Sequence, residues 1–325
     1  MIVPEFWSES KIKKVVDGRQ FTIKRFGWSD TSEEDAKKHS EERLKEAVAT
    51  LEAEKDVRRI DHKTSYNGAE GIPIREEVVS RHQDVVVSRN SYGALCINTP
   101  DVLFADIDFE FDAPFQKYIL AFAILAVCAL LTRAYFDSWV VPAIGLFLAA
   151  LFTSTVAASI HKVALSLRGG AEKVAIKNIS KISDQDKNLN LRIYRTPLGL
   201  RVLVMNRTYS PTSNEAIELL KKFKSDRIYV QMCKNQHCFR ARVSPKPWRI
   251  GLDRLKPRPG VWPIKEERMA ERVDWVRKYD LRSEHYSSCR FLMSLGGDDV
   301  DPKAEFVRQL HDELCKSDQP DLKIA

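Results

Sequence analysis

No Walker A loop, no G-x-S-x-G elbow and no H-E-x-x-H helix occurs in the 325 residues. The chain therefore carries none of the short signatures of P-loop nucleotide hydrolysis, α/β-hydrolase chemistry or zinc proteolysis. Met1–Ser10 lacks the pattern of a signal peptide, because it is short, holds Glu5 and Glu9 and has no apolar core. Cysteine is sparse. Cys96, Cys128, Cys233, Cys238, Cys289 and Cys315 show no disulfide-framework spacing, so free thiols are expected. Internal repeats and low-complexity segments are also missing.

What the chain does have is two long apolar runs, Tyr118–Phe136 and Trp139–Ile160, separated only by Asp137 and Ser138. As helices they would reach roughly 28 and 33 Å, enough for a hydrocarbon core of about 30 Å. The short break makes them antiparallel, so a transmembrane helical hairpin is expected. Arg133 sits near the turn, where its stem can snorkel, and Tyr135, Phe136 and Trp139 gather there as an aromatic belt would. Ala126, Ala129, Ala143, Gly145, Ala149 and Ala150 offer small side chains for close helix approach. Lys117 precedes the hairpin, and His161, Lys162, Arg168, Lys173 and Lys177 follow it. The positive-inside rule thus predicts a multi-pass protein of the inner membrane with both termini in the cytosol.

About 280 residues lie outside the hairpin, enough for one large or two small domains. They are polar and mildly basic, with a formal net charge of +7 over the whole chain. That balance suits an anionic membrane surface, a nucleic acid or a phosphorylated ligand, and equally a plain soluble surface with basic membrane flanks.

Taken in order, Lys11–Val16 and Gln20–Phe26 predict a strand pair turning at Asp17-Gly18. A helix is predicted from about Glu33 to Lys55, and residues 56–71, with Asn67-Gly68, predict a loop. Short Val- and Ile-rich strands are predicted at Arg75–Arg81, Val85–Arg89, Ala94–Asn98 and Val102–Phe109. After the hairpin, strands at Leu191–Arg195 and Leu200–Arg207 flank the turn Thr196-Pro197-Leu198-Gly199. A helix over Asn214–Lys224, strands over Arg227–Cys233 and Cys238–Val243, and closing helices over Lys265–Leu295 and Lys303–Lys316 complete the expectation. The fold class is α+β: a mixed or antiparallel sheet with flanking helices, interrupted by the inserted transmembrane hairpin. Residues 1–117 and 161–325 are the two halves of one cytosolic domain, and 118–160 form the hairpin.

Three stretches could carry chemistry. In a strand, Asp106, Asp108 and Glu110 would share one face, and converging carboxylates suit Mg²⁺ or Mn²⁺ for phosphoryl transfer. The alternative is a solvated strand face, or acids paired with arginines. Around the Gly199 turn, Arg195 and Arg201 could hold a phosphate, or could be ordinary hairpin arginines. Arg240 and Arg242, followed by Lys246, Trp248 and Arg249, could bind phosphates while stacking a base; otherwise Trp248 packs on the core and the basic groups pair with carboxylates. Cys233-x₃-His237-Cys238 offers three zinc donors without a second half, and on a strand His237 and Cys238 would face opposite ways. His285 and His311 read as surface or core residues of helices.

These phrases carry two resemblances. Val102-Leu103-Phe104-Ala105-Asp106-Ile107-Asp108-Phe109, Tyr194-Arg195-Thr196-Pro197, Gly199-Leu200-Arg201, Cys238-Phe239-Arg240-Ala241-Arg242 and Pro245-Lys246-Pro247-Trp248-Arg249 resemble those of a set of uncharacterised bacterial proteins, a likeness that implies no chemistry. The order of motifs is also similar to the palm of archaeo-eukaryotic primases and primase–polymerases. That resemblance implies metal ligation and catalysis by Asp106 and Asp108, a nucleotide-binding turn at Thr196-Pro197-Leu198-Gly199, and a late acid near Asp253. The family's phosphate-binding His is replaced here, with Arg201 and Val202 in its neighbourhood.

The leading expectation is a membrane-tethered domain binding nucleotide or nucleic acid through Asp106, Asp108, Arg195, Arg201, Arg240 and Arg242. If catalytic, it would perform metal-dependent phosphoryl or nucleotidyl transfer. The second is a non-catalytic membrane-tethered module that meets anionic lipid or a protein partner. A D-x-D glycosyltransferase ranks below both, because no βαβ run precedes the acidic motif.

Overall fold

The computed structural model describes residues 1–54, 56–61, 70–136 and 138–325. The chain divides into two compact units. One comprises Met1–Ile107, Asp186–Pro197 and Arg201–Ala325; the other comprises Asp108–Gln185 with Leu198–Leu200.

The first unit opens with an antiparallel ribbon, β1 (Phe6–Val16) and β2 (Arg19–Ser29), turning at Asp17-Gly18 as expected. Both turn residues have positive φ, the requirement of a two-residue hairpin turn. Helix α1 (Glu33–Glu54) buries Ala36, Ser40, Ala47 and Leu51, and Leu51 and Ala47 cluster with Phe21 and Ile23 of the ribbon. The close approach is made at Gly27, where an added Cβ would lie 2.1 Å from the Ala36 carbonyl oxygen. The Asn67-Gly68 part of the expected loop lies outside the described residues. Strands β3 (Glu77–His82), β4 (Val85–Arg89) and β5 (Leu95–Thr99) then form an antiparallel meander, and β6 (Phe104–Asp108) carries the acidic motif.

In the second unit, α2 (Phe115–Tyr135) and α3 (Val140–Leu167) are each long and apolar enough to cross a membrane, with mean hydropathies of 1.9 and 2.1. Of the nominated small residues, Ala129 and Ala149 are buried, and a Cβ on Gly145 would lie 2.8 Å from that of Ala129. Ala143 and Ala150 are exposed instead. Arg133 donates to the Phe136 carbonyl at 3.3 Å and lies 5.4 Å from the Trp139 ring centre. Asp137 lies outside the described residues. Helix α4 (Ala171–Gln185) was not anticipated, although Ala171, Val174, Ala175, Ile179 and Ile182 recur at helical spacing; the stretch was read only as polar.

The first unit resumes with β7 (Asn190–Thr196) and β8 (Gly199–Val204), followed by α5 (Asn214–Lys222), capped by Ser213 Oγ accepting from Ala216 N. The strand expected over Arg227–Cys233 is instead helix α6 (Arg227–Gln236). Asp226 caps it, accepting from the amides of Ile228 and Tyr229, and Tyr229, Met232, Cys233 and Gln236 recur at helical spacing on its buried side. Strand β9 (Phe239–Arg242) joins the meander beside β5, giving the order β3-β4-β5-β9. The long helix expected over Lys265–Leu295 is also corrected. Helix α7 (Met269–Ser283) ends early, β10 (Tyr286–Ser287) follows, and β11 (Arg290–Gly296) pairs antiparallel with β7. Pairing with a distant strand outweighs local helix propensity there. The second sheet has the order β11-β7-β8-β6. Helix α8 (Pro302–Cys315) and β12 (Lys323–Ile324), parallel to β10, close the chain. The α+β class with antiparallel sheets and flanking helices is thus the observed one.

Candidate functional site

Asp106 and Arg201 stand on neighbouring strands, β6 and β8. Arg201 is 2% exposed and spends its fork within the protein. One guanidinium nitrogen donates to the Arg242 carbonyl at 2.8 Å and faces His311 Nε2 at 3.2 Å; the other reaches Asp106 Oδ1 at 3.4 Å. Burial works against the charge, but Asp106 and the neighbouring thiols hold the guanidinium above its ordinary range. Asp106 keeps 45% of its side chain exposed. Its Oδ1 is shared with Arg201, and the rest of the carboxylate is open to solvent. Asp108 and Glu110 are exposed in the other unit.

The remaining nominated arginines are also engaged in structure. Arg240 Nη2 meets Glu76 Oε2 at 2.5 Å, and both side chains are 5% exposed. Ser88 Oγ donates to the same carboxylate oxygen at 2.8 Å. Arg242 donates to the carbonyls of Ser244 at 2.6 Å and Ala325 at 3.3 Å, fastening the C-terminus. Arg195 is exposed on β7, opposite Arg290 of β11. The structure therefore joins Asp106 to Arg201 and ties Arg242 to Arg201 through its backbone. Arg240 belongs to a separate buried pair.

Lys246 and Trp248 form the second candidate. The residues Pro247–Ile250 make a 3₁₀ turn that Gly251 terminates at φ +74°. Trp248 is left 46% exposed. The Lys246 ammonium lies 5.6 Å and the Arg254 guanidinium 5.4 Å from its ring centre, while Tyr92 meets it edge-on at 5.3 Å. Tyr92 is placed by a tight loop in which Asn90 Oδ1 accepts from the amides of Tyr92, Gly93 and Ala94. Gly93, at φ +110°, is required there, because a Cβ would meet Trp275 at 2.2 Å. Leu255 N donates to the Tyr92 carbonyl and ties the following segment to the same loop. Burial pushes the Tyr92 phenol up to about 12, so it stays neutral. Beside Trp248 lies a concavity of about 420 Å³ lined by Trp248, Leu252, Asp253, Arg254 and Arg258. Arg254 and Arg258 were not nominated from sequence. Their signal was the basic, proline-rich run Arg254-Leu255-Lys256-Pro257-Arg258-Pro259 that follows the tryptophan.

A third cluster escaped sequence reading altogether. Among the described residues, the group of three or more metal-ligating side chains that converges is Cys289, His311 and Cys315, with donor atoms within 4.8 Å of one another. Cys233, His237 and Cys238 do not form such a group. Cys233 lies on α6, and His237 is its left-handed cap with an exposed side chain, whereas both cysteines are buried. His311 and Cys315 stand one turn apart on α8, a spacing that was visible. Cys289 was hidden inside a helix that does not exist. Comparison of the chain with known protein families, with curated proteins and with solved structures returns no match.

Proposed function

We propose that this chain is a membrane-anchored protein whose α+β body binds a nucleotide or single-stranded nucleic acid on the Trp248 face. The observation that carries the ligand class is the half-exposed Trp248 at the edge of a concavity, with Lys246 and Arg254 near its ring. A π face stacks any base, and adjacent ammonium and guanidinium groups suit its phosphates. Arg258 on the same wall adds a further phosphate partner.

The anchor reading is supported by the surfaces of α2 and α3. Their long apolar side chains, among them Phe122, Leu131, Phe147 and Leu151, are exposed. A contiguous apolar surface of that extent is not stable in water, and lipid covers it without asking any backbone group to lose its partner. The basic flanks, Lys117 on one side and Lys162 and Arg168 on the other, orient both ends toward the cytosol. On this reading the anchor concentrates the body at the inner face of the bilayer.

Binding is tested by calorimetry on the detergent-purified chain with adenosine triphosphate, a sugar nucleotide and oligothymidylate as probes. Trp248→Ala is expected to weaken binding about fivefold or more, since stacking contributes about 1–3 kcal/mol per base. Equal affinity in Trp248→Ala and wild type for every probe would remove the ligand reading.

A further inference from the structure

We infer that Cys289, His311 and Cys315 form a zinc site that clamps helix α8 to the turn between β10 and β11. The three side chains are 0%, 0% and 1% exposed. His311 Nε2 lies 3.4 Å from Cys315 Sγ and 3.9 Å from Cys289 Sγ. With zinc–nitrogen bonds of about 2.0 Å and zinc–sulfur bonds of about 2.3 Å, a tetrahedral ion sets its N···S edges near 3.6 Å. The observed N···S edges bracket that value, and the two sulfurs lie within 4.8 Å of each other, against about 3.8 Å across a tetrahedral zinc.

The outer contacts match as well. The Asp312 carboxylate accepts from His311 Nδ1 at 3.0 Å, which leaves Nε2, among Arg201 and the two sulfurs, as the nitrogen that would bind the metal. A carboxylate behind a ligating imidazole is the arrangement that orients such ligands. Asp312 is itself held by Arg192 and Arg308, each at 2.9 Å, so the ring cannot easily turn. Arg201 Nη1, now facing Nε2, would pass to a sulfur once the metal takes the nitrogen. Zinc with two thiolates and a neutral imidazole is uncharged, so the guanidinium does not oppose it.

A second observation comes from the strand leading into Cys289. The hydroxyls of Ser287 and Ser288 are buried and find no hydrogen-bond partner among the described residues. Buried polar groups without partners mark places where a ligand or water belongs. Three protein donors leave a fourth zinc position for water.

The test uses the full chain, purified in detergent under reductant. Elemental analysis is expected to give close to one zinc per chain. Replacement by Co²⁺ is expected to give thiolate-to-cobalt charge transfer and the visible bands of a tetrahedral ion. Cys289→Ser and Cys315→Ser are expected to lose both, and Cys233→Ser to keep both. The inference fails if the wild-type chain binds no stoichiometric metal and shows no charge-transfer band, a measurement that needs no variant to fold. It also fails if the band survives in Cys289→Ser and disappears in Cys233→Ser, which would move the site to α6.

Discussion

Arg240 and Glu76 form an ion pair sealed from water, 2.5 Å apart with each side chain 5% exposed. Their elements are far apart in sequence, so the pair fastens β9 to the segment entering β3. Removing one partner leaves a buried charge uncompensated, which typically costs about 3–5 kcal/mol. Glu76→Ala is therefore expected to destabilise the first unit by that order and to lower the denaturation midpoint steeply. Arg240→Met with Glu76→Leu removes both charges and is expected to recover most of the loss. Chemical denaturation of the wild type, the single and the double variant measures both effects. If Glu76→Ala costs no more than a surface substitution, the pair is not the fastening described.

This pair shows why half of the candidate site could not be read in the chain. Arg240 and Arg242 were visible as alternating basic residues, but Glu76 is too distant for any local pattern to announce it. Asp106 and Asp108 fall on a strand as their period-two spacing suggested, but β6 ends at Asp108 and Glu110 lies beyond it. That Asp106 meets Arg201 depends on β6 lying beside β8, a non-local fact. Helices with strong caps and wide apolar faces, such as α5 and α8, were legible to within a few residues. Helix α6 was not, because Ile228, Tyr229 and Val230 carry strand propensity that its Asp226 cap and tertiary packing override. The hydropathy of α2 and α3 was legible in full, since length and composition alone define it.

Gly27 offers a second measurement. A Cβ there would lie 2.1 Å from the Ala36 carbonyl oxygen and 2.2 Å from the Ser40 amide nitrogen. Both are backbone atoms of α1, which cannot swing aside as a side chain could. Gly27→Ala must push the helix off the ribbon and disturb the Ser10–Ser40 hydroxyl contact at 2.6 Å. Overpacking of this kind costs about 1–3 kcal/mol, and the upper end is expected here. Faster amide exchange confined to Phe6–Glu54 would confirm it; unchanged exchange there would contradict the packing.

Lys303 gives the pH dependence. Its ammonium, at the start of α8, meets Asp84 in the β3–β4 turn and Asp101 Oδ2 at 2.6 Å. Burial opposes the charge, but hydrogen bonds and charge from Asp101 and Asp84 outweigh it and raise the lysine above its ordinary 10.5. A folded-state value above the unfolded one contributes stability that is complete below pH 10.5. The contribution disappears as pH rises through the higher folded value. The groups are partly exposed, so the contribution is about 1 kcal/mol or less. Lys303→Met is therefore expected to be less stable than wild type at about pH 8, with the gap closing in strongly alkaline solution. A gap that stays constant across that range would mean the methylene stem, not the charge, does the holding.

The last prediction separates packing from partitioning in the apolar pair. Gly145 sits where α3 passes α2, with the Ala129 Cβ 2.8 Å from where its own would stand. Between membrane helices close approach relies on small residues, because lipid tails offer no hydrophobic drive toward association. Gly145→Leu forces the helices apart at that point while making α3 more apolar. On the proposed anchor reading, membrane retention through alkaline carbonate washing is expected to be unchanged, since insertion depends on hydropathy. The thermal midpoint of the detergent-purified chain is expected to fall, by an overpacking cost of about 1–3 kcal/mol. Loss of retention with an unchanged midpoint is the reverse pattern, and it would mean that α2 and α3 do not pack as a pair inside the bilayer.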